Sequence, residues 1–266
     1  MLQLRQPGFI GGSRLSYCLT MKLSRIRNRV VVRLNPFHVF LAPEALAINA
    51  ARQEHLASLD LPLSGKRVLE VGAGIGLHTP FFLDRGCSVL VTEGRTDNVA
   101  EMRRRYPDRE ICQLDLEQAE DIRAIGQFDI AYCYGTLYHL STPTEALQAL
   151  SSVAPIILLE TCCSRGDGEE LNLVGEQIGV MNQSQSGSGC RPTRQWVLTR
   201  LRDYWGHGYV SVTQPDHPDF PLDWSLGPFA SNTRAVFVGS RLPIQSEHLV
   251  ERALQVQVPS RSSQSL

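Results

Sequence analysis

From residue 66 onward, apolar residues fall into two alternating rhythms. Arg67 to Val71 is a short, β-branched apolar run without a breaker, which suits a buried parallel strand. Cys87 to Thr92, Glu110 to Leu114, Phe128 to Tyr134 and Pro155 to Glu160 repeat that pattern and predict further strands. Between them, Leu77 to Leu83, Thr96 to Tyr106, Glu117 to Ile125 and Thr142 to Val153 read as helices. Thr96 or Asp97 is placed to cap the second of these, and Pro143 sits near the first turn of the fourth. Ahead of the first strand, Pro43 to Leu59 predicts a helix with an apolar side of Leu46, Ile48, Ala50 and Leu56. Glu44 lies in its first turn, where the helix dipole favours an acid. This helix is expected to pack beside the first strand or to lie over a ligand.

The rhythm breaks at Cys162 to Cys190, a stretch rich in Gly, Ser, Asn and Gln that is too polar for a core and reads as a loop. Arg191 to Trp205 returns to helix, with Trp196, Leu198, Leu201 and Trp205 apolar. Tyr209 to Thr213 and Thr233 to Gly239 predict two last strands, separated by a proline-bearing loop from Gln214 to Pro228. Joined without a helix, they are expected to form an antiparallel hairpin at the sheet edge. Leu249 to Val258 reads as a short helix and Pro259 to Leu266 as a frayed tail. The whole predicts a Rossmann-like, doubly wound α/β fold: a mainly parallel seven-stranded sheet with an antiparallel C-terminal edge strand. A basic, partly disordered arm (1–42) would precede one domain (43–241) carrying an inserted polar lid loop (162–192), followed by a tail (242–266).

Composition narrows the partners. Hydrophobic residues at 42% and charged residues at 20% are ordinary for a soluble globular chain. A net charge of −1 argues against nucleic acid as an obligatory partner. Charge is uneven, because Met1 to Pro43 holds no Asp or Glu but carries Arg5, Arg14, Lys22, Arg25, Arg27, Arg29 and Arg33. That arm reads either as a transit peptide or, preferred here, as a disordered extension ahead of a second start at Met21. The seven cysteines form no C-x-x-C pair of zinc or redox type, so no metal is expected. Free thiols in apolar runs, with no signal peptide and no run near the roughly 18 residues of a membrane span, suit a reduced cytoplasmic protein.

The chemistry concentrates at the ends of the strands. Gly72, Gly74 and Gly76 alternate directly after the first strand, and a helix follows. Such a turn admits φ > 0, lets a ligand approach bare backbone and presents unpaired helix N–H groups. A dinucleotide fingerprint wants G-x-G-x-x-G, but here the third glycine comes one residue early and Leu77 takes its place. Glu70, just before the turn, would repel a pyrophosphate yet accept hydrogen bonds from an ammonium. Glu93, Asp115 and Tyr134–Gly135 end the next three strands. Glu93 falls where an acid would meet ribose hydroxyls; Asp115 could accept from an adenine amine while the Leu116 N–H donates.

Glu70, Gly72, Gly74 and Gly76, with Glu93 and Asp115, resemble the cofactor motifs of the class I S-adenosylmethionine-dependent methyltransferases over about Lys66 to Glu160. Phe128-Asp129-Ile-Ala-Tyr-Cys-Tyr134-Gly135-Thr-Leu-Tyr138-His139-Leu140 is similar to a bacterial group within that class. The group includes sugar- and natural-product-modifying O-methyltransferases and enzymes that carboxymethylate the tRNA wobble uridine. The resemblance implies S-adenosylmethionine as cofactor, with the fourth motif lying between cofactor and acceptor.

Methyl transfer to a hydroxyl needs a base, and His139 is the candidate, against a purely structural role before Pro143. Tyr138 would line the adenosine, hold the loop or simply pack. His207 and His217 are weaker candidates, and Arg191 and Arg194 would grip an anionic or sugar acceptor or pair with nearby acids. The expected function is O-methylation of a small polar or glycosidic acceptor. The alternatives are a non-catalytic cofactor-binding subunit, a tRNA-modifying transferase, for which no cationic pocket is visible in the sequence, and an NAD-dependent oxidoreductase.

Overall fold

The computed structural model describes residues 35–225 and 233–260. The expectations for the arm before residue 35, for the loop at 226–228 and for the last six residues of the tail lie outside them. Five strands, β1 (Arg67–Glu70), β2 (Ser88–Glu93), β3 (Glu110–Gln113), β4 (Ile130–Tyr134) and β5 (Ile156–Cys162), run parallel in the order β3-β2-β1-β4-β5. The chain leaves β1 for β2 on one side and reaches β4 on the other, so the order reverses between β1 and β4. In open α/β sheets a crevice opens at that reversal, outside the carboxyl ends of the strands.

Helices cover both faces because each strand alternates its side chains. Val68 of β1, Ile130 and Tyr132 of β4, and Leu158 of β5 pack on one side. There they meet α2 (Pro43–Ser58), α3 (Thr79–Leu83) and α4 (Thr96–Arg105) through Leu56, Phe82 and Met102. Leu69, Ala131, Cys133 and Leu159 face the other way. They meet α5 (Ala119–Ala124), α6 (Pro143–Val153) and α7 (Arg194–Trp205) through Ile122, Leu150 and Leu201. Burying a side chain of this size contributes roughly 1.5–3 kcal/mol. Among the described residues no helix is long and apolar enough to cross a membrane, and the six described cysteines are free thiols.

Four local expectations are corrected. The sheet has eight strands rather than seven, in the order β11-β8-β10-β5-β4-β1-β2-β3, where β8 is His207–Ser211, β10 is Arg234–Ser240 and β11 is Leu249–Val250. The last two predicted strands do pair antiparallel, but the antiparallel edge strand is β11; β10 lies between β5 and β8 and is antiparallel to both. Its seven residues are all buried, which an edge position would not allow. The helix expected from Leu249 is instead β11, whose backbone pairs with Ser211 and Val210. The open groups along β8 give that segment ladder partners, while an isolated single-turn helix would be marginal. Finally, α4 has Arg95 at its N-cap with no side-chain cap, so neither Thr96 nor Asp97 fills that role. Glu93 Oε1 accepts the Arg95 N–H at 2.9 Å instead.

The polar stretch after β5 is more ordered than a loop. It folds back as a hairpin of β6 (Leu173–Gly175) and β7 (Ser188–Cys190), with Leu173 opposite Cys190. At the N-terminal side, a one-turn α1 (His38–Leu41) precedes α2. Two short strands, β9 (Thr213–Gln214) and β12 (Val258–Pro259), pair in parallel apart from the main sheet.

Candidate functional site

The glycine turn is built on positive φ. Gly72, Gly74 and Gly76 have φ of 62°, 60° and 77°, a region that costs residues with a Cβ. Space is also short. A Cβ on Gly72 would lie 2.3 Å from Thr136 Oγ1, and one on Gly74 would lie 2.7 Å from the Phe40 ring of α1. The helix after the turn begins at Thr79, two residues later than Leu77, and is only one turn long.

Two buried acids flank the turn. Glu70 ends β1 and accepts a hydrogen bond from Thr79 Oγ1 at 2.7 Å. Burial, only partly offset by Thr79 and Arg109, pushes its carboxyl up from 4.5 to about 7. Glu93 ends β2; its Oε2 accepts the Gly74 N–H at 2.8 Å and its Oε1 the side-chain amide of Asn98 at 3.3 Å. Burial raises its pKa as well, against the hydrogen bonds from Arg95, Gly74 and Asn98 that lower it. Past β3, Asp115 Oδ1 accepts the Glu117 N–H at 3.0 Å, and Leu116 is buried. Past β4, Gly135 has a φ of 75°, and a Cβ there would lie 3.1 Å from the Arg52 guanidinium.

These residues surround one cleft of about 390 Å³, in the range of small-molecule sites. Glu70, Gly72, Gly74, Glu93, Asp115, Leu116, Tyr134, Gly135 and His139 all line it. Gly76 does not; its carbonyl is held from behind by Arg109 Nη1 at 2.9 Å. The cover comes from α1 and α2 through residues such as Phe40 and Ile48. Among the described residues nine buried side-chain polar atoms lack a hydrogen-bond partner. Five of them, Arg52 Nε, His78 Nε2, Asn98 Oδ1, Tyr134 Oη and Arg234 Nε, belong to residues of this cleft. Such atoms are costly to bury unpaired, so their concentration here marks a site shaped for a polar ligand. The lining also offers three acids for the polar parts of S-adenosylmethionine: the buried Glu70, Glu93 at the end of β2 and Asp115 past β3. No group of three or more His, Cys, Asp or Glu is arranged for a metal ion among the described residues.

The deepest charges were not legible in the sequence. Glu160 in β5 is fully buried and bridges Arg52 Nη2 of α2 at 2.6 Å and Arg234 Nη1 of β10 at 3.0 Å. Burial alone would raise the Glu160 carboxyl, but the two guanidiniums hold it below its ordinary range. Arg234 Nη2 also donates to Tyr138 Oη at 3.0 Å. Arg234 Nε also lies 3.7 Å from Asp219 Oδ2, so two guanidiniums and two carboxylates form the floor under the cleft. Arg52 did carry a signal, since it sits four residues after Ile48 and four before Leu56, on the buried side of α2.

His139 lies in a single 3₁₀ turn, Leu137–His139, after β4. Its Nδ1 is 2.5 Å from Glu176 Oε2, a residue of the polar hairpin that no sequence pattern singled out. Burial pulls the imidazole pKa below 6.5 although the Glu176 carboxylate pulls it up, so the ring is neutral near pH 7. Arg191 pairs with Glu176 at 3.4 Å rather than entering the cleft. Arg194 stacks on Trp224 at 3.9 Å and donates to the Leu254 carbonyl, outside the cleft. His207 and His217 do not line it either.

Comparison with known proteins agrees with this arrangement. Residues 69–154 match the family model described as a methyltransferase domain. A tRNA U34 carboxymethyltransferase of Idiomarina loihiensis is 25% identical over 201 residues, covering 69% of this chain and 61% of that protein. One of Alcanivorax borkumensis is 32% identical over 120 residues, covering 42% of this chain and 36% of that protein. The chain thus spans less than two thirds of the length of either relative. Among solved structures, the N-terminal domain of EvdMO1, crystallised with S-adenosylhomocysteine and D-fucose, superposes with a TM-score of 0.54. It is 22% identical, and the match covers 72% of this chain and 82% of that one. The 1,6-didemethyltoxoflavin-N1-methyltransferase of Burkholderia thailandensis superposes with a TM-score of 0.50 at 16% identity, covering 88% and 92%. Residues 69–154 thus match a methyltransferase-domain model, and the chain has the Rossmann-like α/β fold of the class I S-adenosylmethionine-dependent methyltransferases.

Proposed function

We propose that this chain binds S-adenosylmethionine and transfers its methyl group to a hydroxyl of a small polar or sugar-containing acceptor. The observation that carries the reading is the cleft at the β1/β4 reversal, where strand-end acids and the glycine turn meet. Glu70, poised near neutrality by burial, regains its charge beside an ammonium. Glu93 receives ribose hydroxyls, Asp115 and the Leu116 N–H receive the adenine edge, and Tyr134 and Gly135 border the sulfonium side. The cofactor, when bound, supplies an electrophilic methyl group on sulfur. The protein then has to hold the acceptor in line, keep water out and take the hydroxyl proton, a task for the neutral His139 imidazole. The catalytic domain runs over 43–241, with 162–192 as its polar lid. The fucose found with EvdMO1 fits a sugar-sized acceptor on this fold.

Incubating the full chain with S-adenosylmethionine and a panel of free and glycosidic hydroxyl compounds tests this, with S-adenosylhomocysteine release as the readout. Acceptor-dependent release supports the reading. Saturable cofactor binding with no release from any acceptor supports the alternative of a non-catalytic binding subunit.

A second reading is favoured by the curated relatives, which are tRNA U34 carboxymethyltransferases. Arg52 and Arg234 are guanidiniums of the cleft that would face a donor bearing a carboxylate on the transferred carbon, and the acceptor would then be a tRNA uridine. Competition between S-adenosylmethionine and its carboxylated form separates the two readings. Preference for the carboxylated donor, lost in Arg234→Gln, would establish the second.

A further inference from the structure

We propose that Glu176 is the positioning residue for His139, presented by the polar hairpin so that the imidazole turns its lone pair toward the cleft. The inference rests on the reading of His139 as the proton acceptor and adds the residue that fixes its tautomer. A carboxylate only accepts hydrogen bonds, so the 2.5 Å contact between His139 Nδ1 and Glu176 Oε2 places the ring proton on Nδ1. Nε2 is then the nitrogen able to take a proton, the form a base needs.

The carboxylate is itself held. Glu176 Oε2 also accepts the Ser184 N–H at 2.9 Å, and Oε1 lies 3.4 Å from Arg191 Nη1. Its side chain is 3% exposed, against 16% for His139. A Cβ on Gly189 would lie 2.8 Å from Glu176 Oε1 and 2.5 Å from the Tyr138 carbonyl, so a glycine in β7 lets the hairpin close onto the His139 turn. The charged and titratable groups around the imidazole are Glu176, Arg191, Arg234 and the Tyr138 ring, whose centroid is 4.1 Å away. Of these, Glu176 is the acceptor in contact with Nδ1, and the two arginines only donate.

The same segment covers the cofactor side. Arg95 donates to the carbonyls of Ile178, Gln183 and Ser184, and Asn98 donates to that of Met181 at 3.1 Å. Residues 181–185 line the cleft near Glu93. One strap therefore spans from the ribose-side acid to the base, and its closure both covers the cofactor cleft and orients His139.

The test is ¹⁵N NMR of the full chain labelled at histidine, with His139 assigned by the signal missing in His139→Gln. The wild type should show the Nδ1–H tautomer. Glu176→Ala should shift the tautomer ratio toward Nε2–H by at least about tenfold, as expected for losing a hydrogen bond to a charged group. Glu176→Gln, whose amide oxygen still accepts, should keep the Nδ1–H form while the imidazole titrates at lower pH, a change that simple packing would not produce. A wild-type Nε2–H tautomer overturns the proposal even if Glu176→Ala does not fold. An unchanged ratio in a folded Glu176→Ala protein also overturns it. No donor or acceptor enters this measurement, so a failure of turnover and a failure of the pairing are read separately.

Discussion

Glu70 is a carboxylate that burial keeps near its titration point in the absence of a cation, and this makes it readable through stability. Its pKa is raised from 4.5 to about 7, so between those values the folded protein holds a proton that the unfolded chain has released. Its contribution to stability is therefore full below the lower value and lost as pH rises through the upper one. Glu70→Gln removes this loss. Relative to wild type without ligand, the variant should gain on the order of 2 kcal/mol on going from about pH 5 to about pH 8, read as a rise of several degrees in the melting temperature difference. A pH-independent difference would contradict the burial argument. Gly72→Ala combines a φ of 62° with a contact of 2.3 Å to Thr136, and should cost about 2–4 kcal/mol in urea unfolding. An unchanged midpoint would mean that the turn and Thr136 separate freely. At this scale the sequence exposed what lies at strand ends, since acids and glycines interrupt apolar runs. It hid Glu176, which sits in a polar stretch with no periodicity, and Arg234, which opens an apolar strand and finds its partner Glu160 far away in sequence.

Among the elements, those whose form depends on local pattern were legible, from α2 through β5. Those whose form depends on an unpaired neighbour were not. β10 reads as an apolar strand in sequence, but its place inside the sheet is set by the two partners it finds, β5 and β8. Leu249 and Val250 become β11 because β8 offers an open edge. The strap between β6 and β7 is polar, so nothing in its composition tells a latched segment from a loose one. Arg95 is the latch at the cofactor side, with hydrogen bonds of 2.7, 3.1 and 3.0 Å to three strap carbonyls. Arg95→Ala should speed amide hydrogen exchange in residues 178–185 by at least about tenfold while leaving β1 and β4 protected. Unchanged exchange in the strap would show that Asn98 and the Glu176 end hold it without Arg95.

For the whole molecule, the order of strands decides where chemistry happens. The reversal between β1 and β4 opens one crevice, and the first four strands deliver Glu70, Glu93, Asp115 and Tyr134–Gly135 to its mouth in turn. Two helices before β1 roof it, the strap closes its side, and the Arg52–Glu160–Arg234 cluster forms its floor. In the proposed reading the cofactor takes the strand ends, and the space near His139, Tyr138 and the arginines is left for the acceptor or for a larger transferred group. The most direct measurement is calorimetric titration of the full chain with S-adenosylmethionine, S-adenosylhomocysteine and NAD, repeated on Glu93→Ala. The expected result is saturable binding of the first two, weakened at least about tenfold by the substitution, with no binding of NAD. Binding of NAD in their place, or cofactor affinity untouched by Glu93→Ala, would contradict the assignment of the cleft.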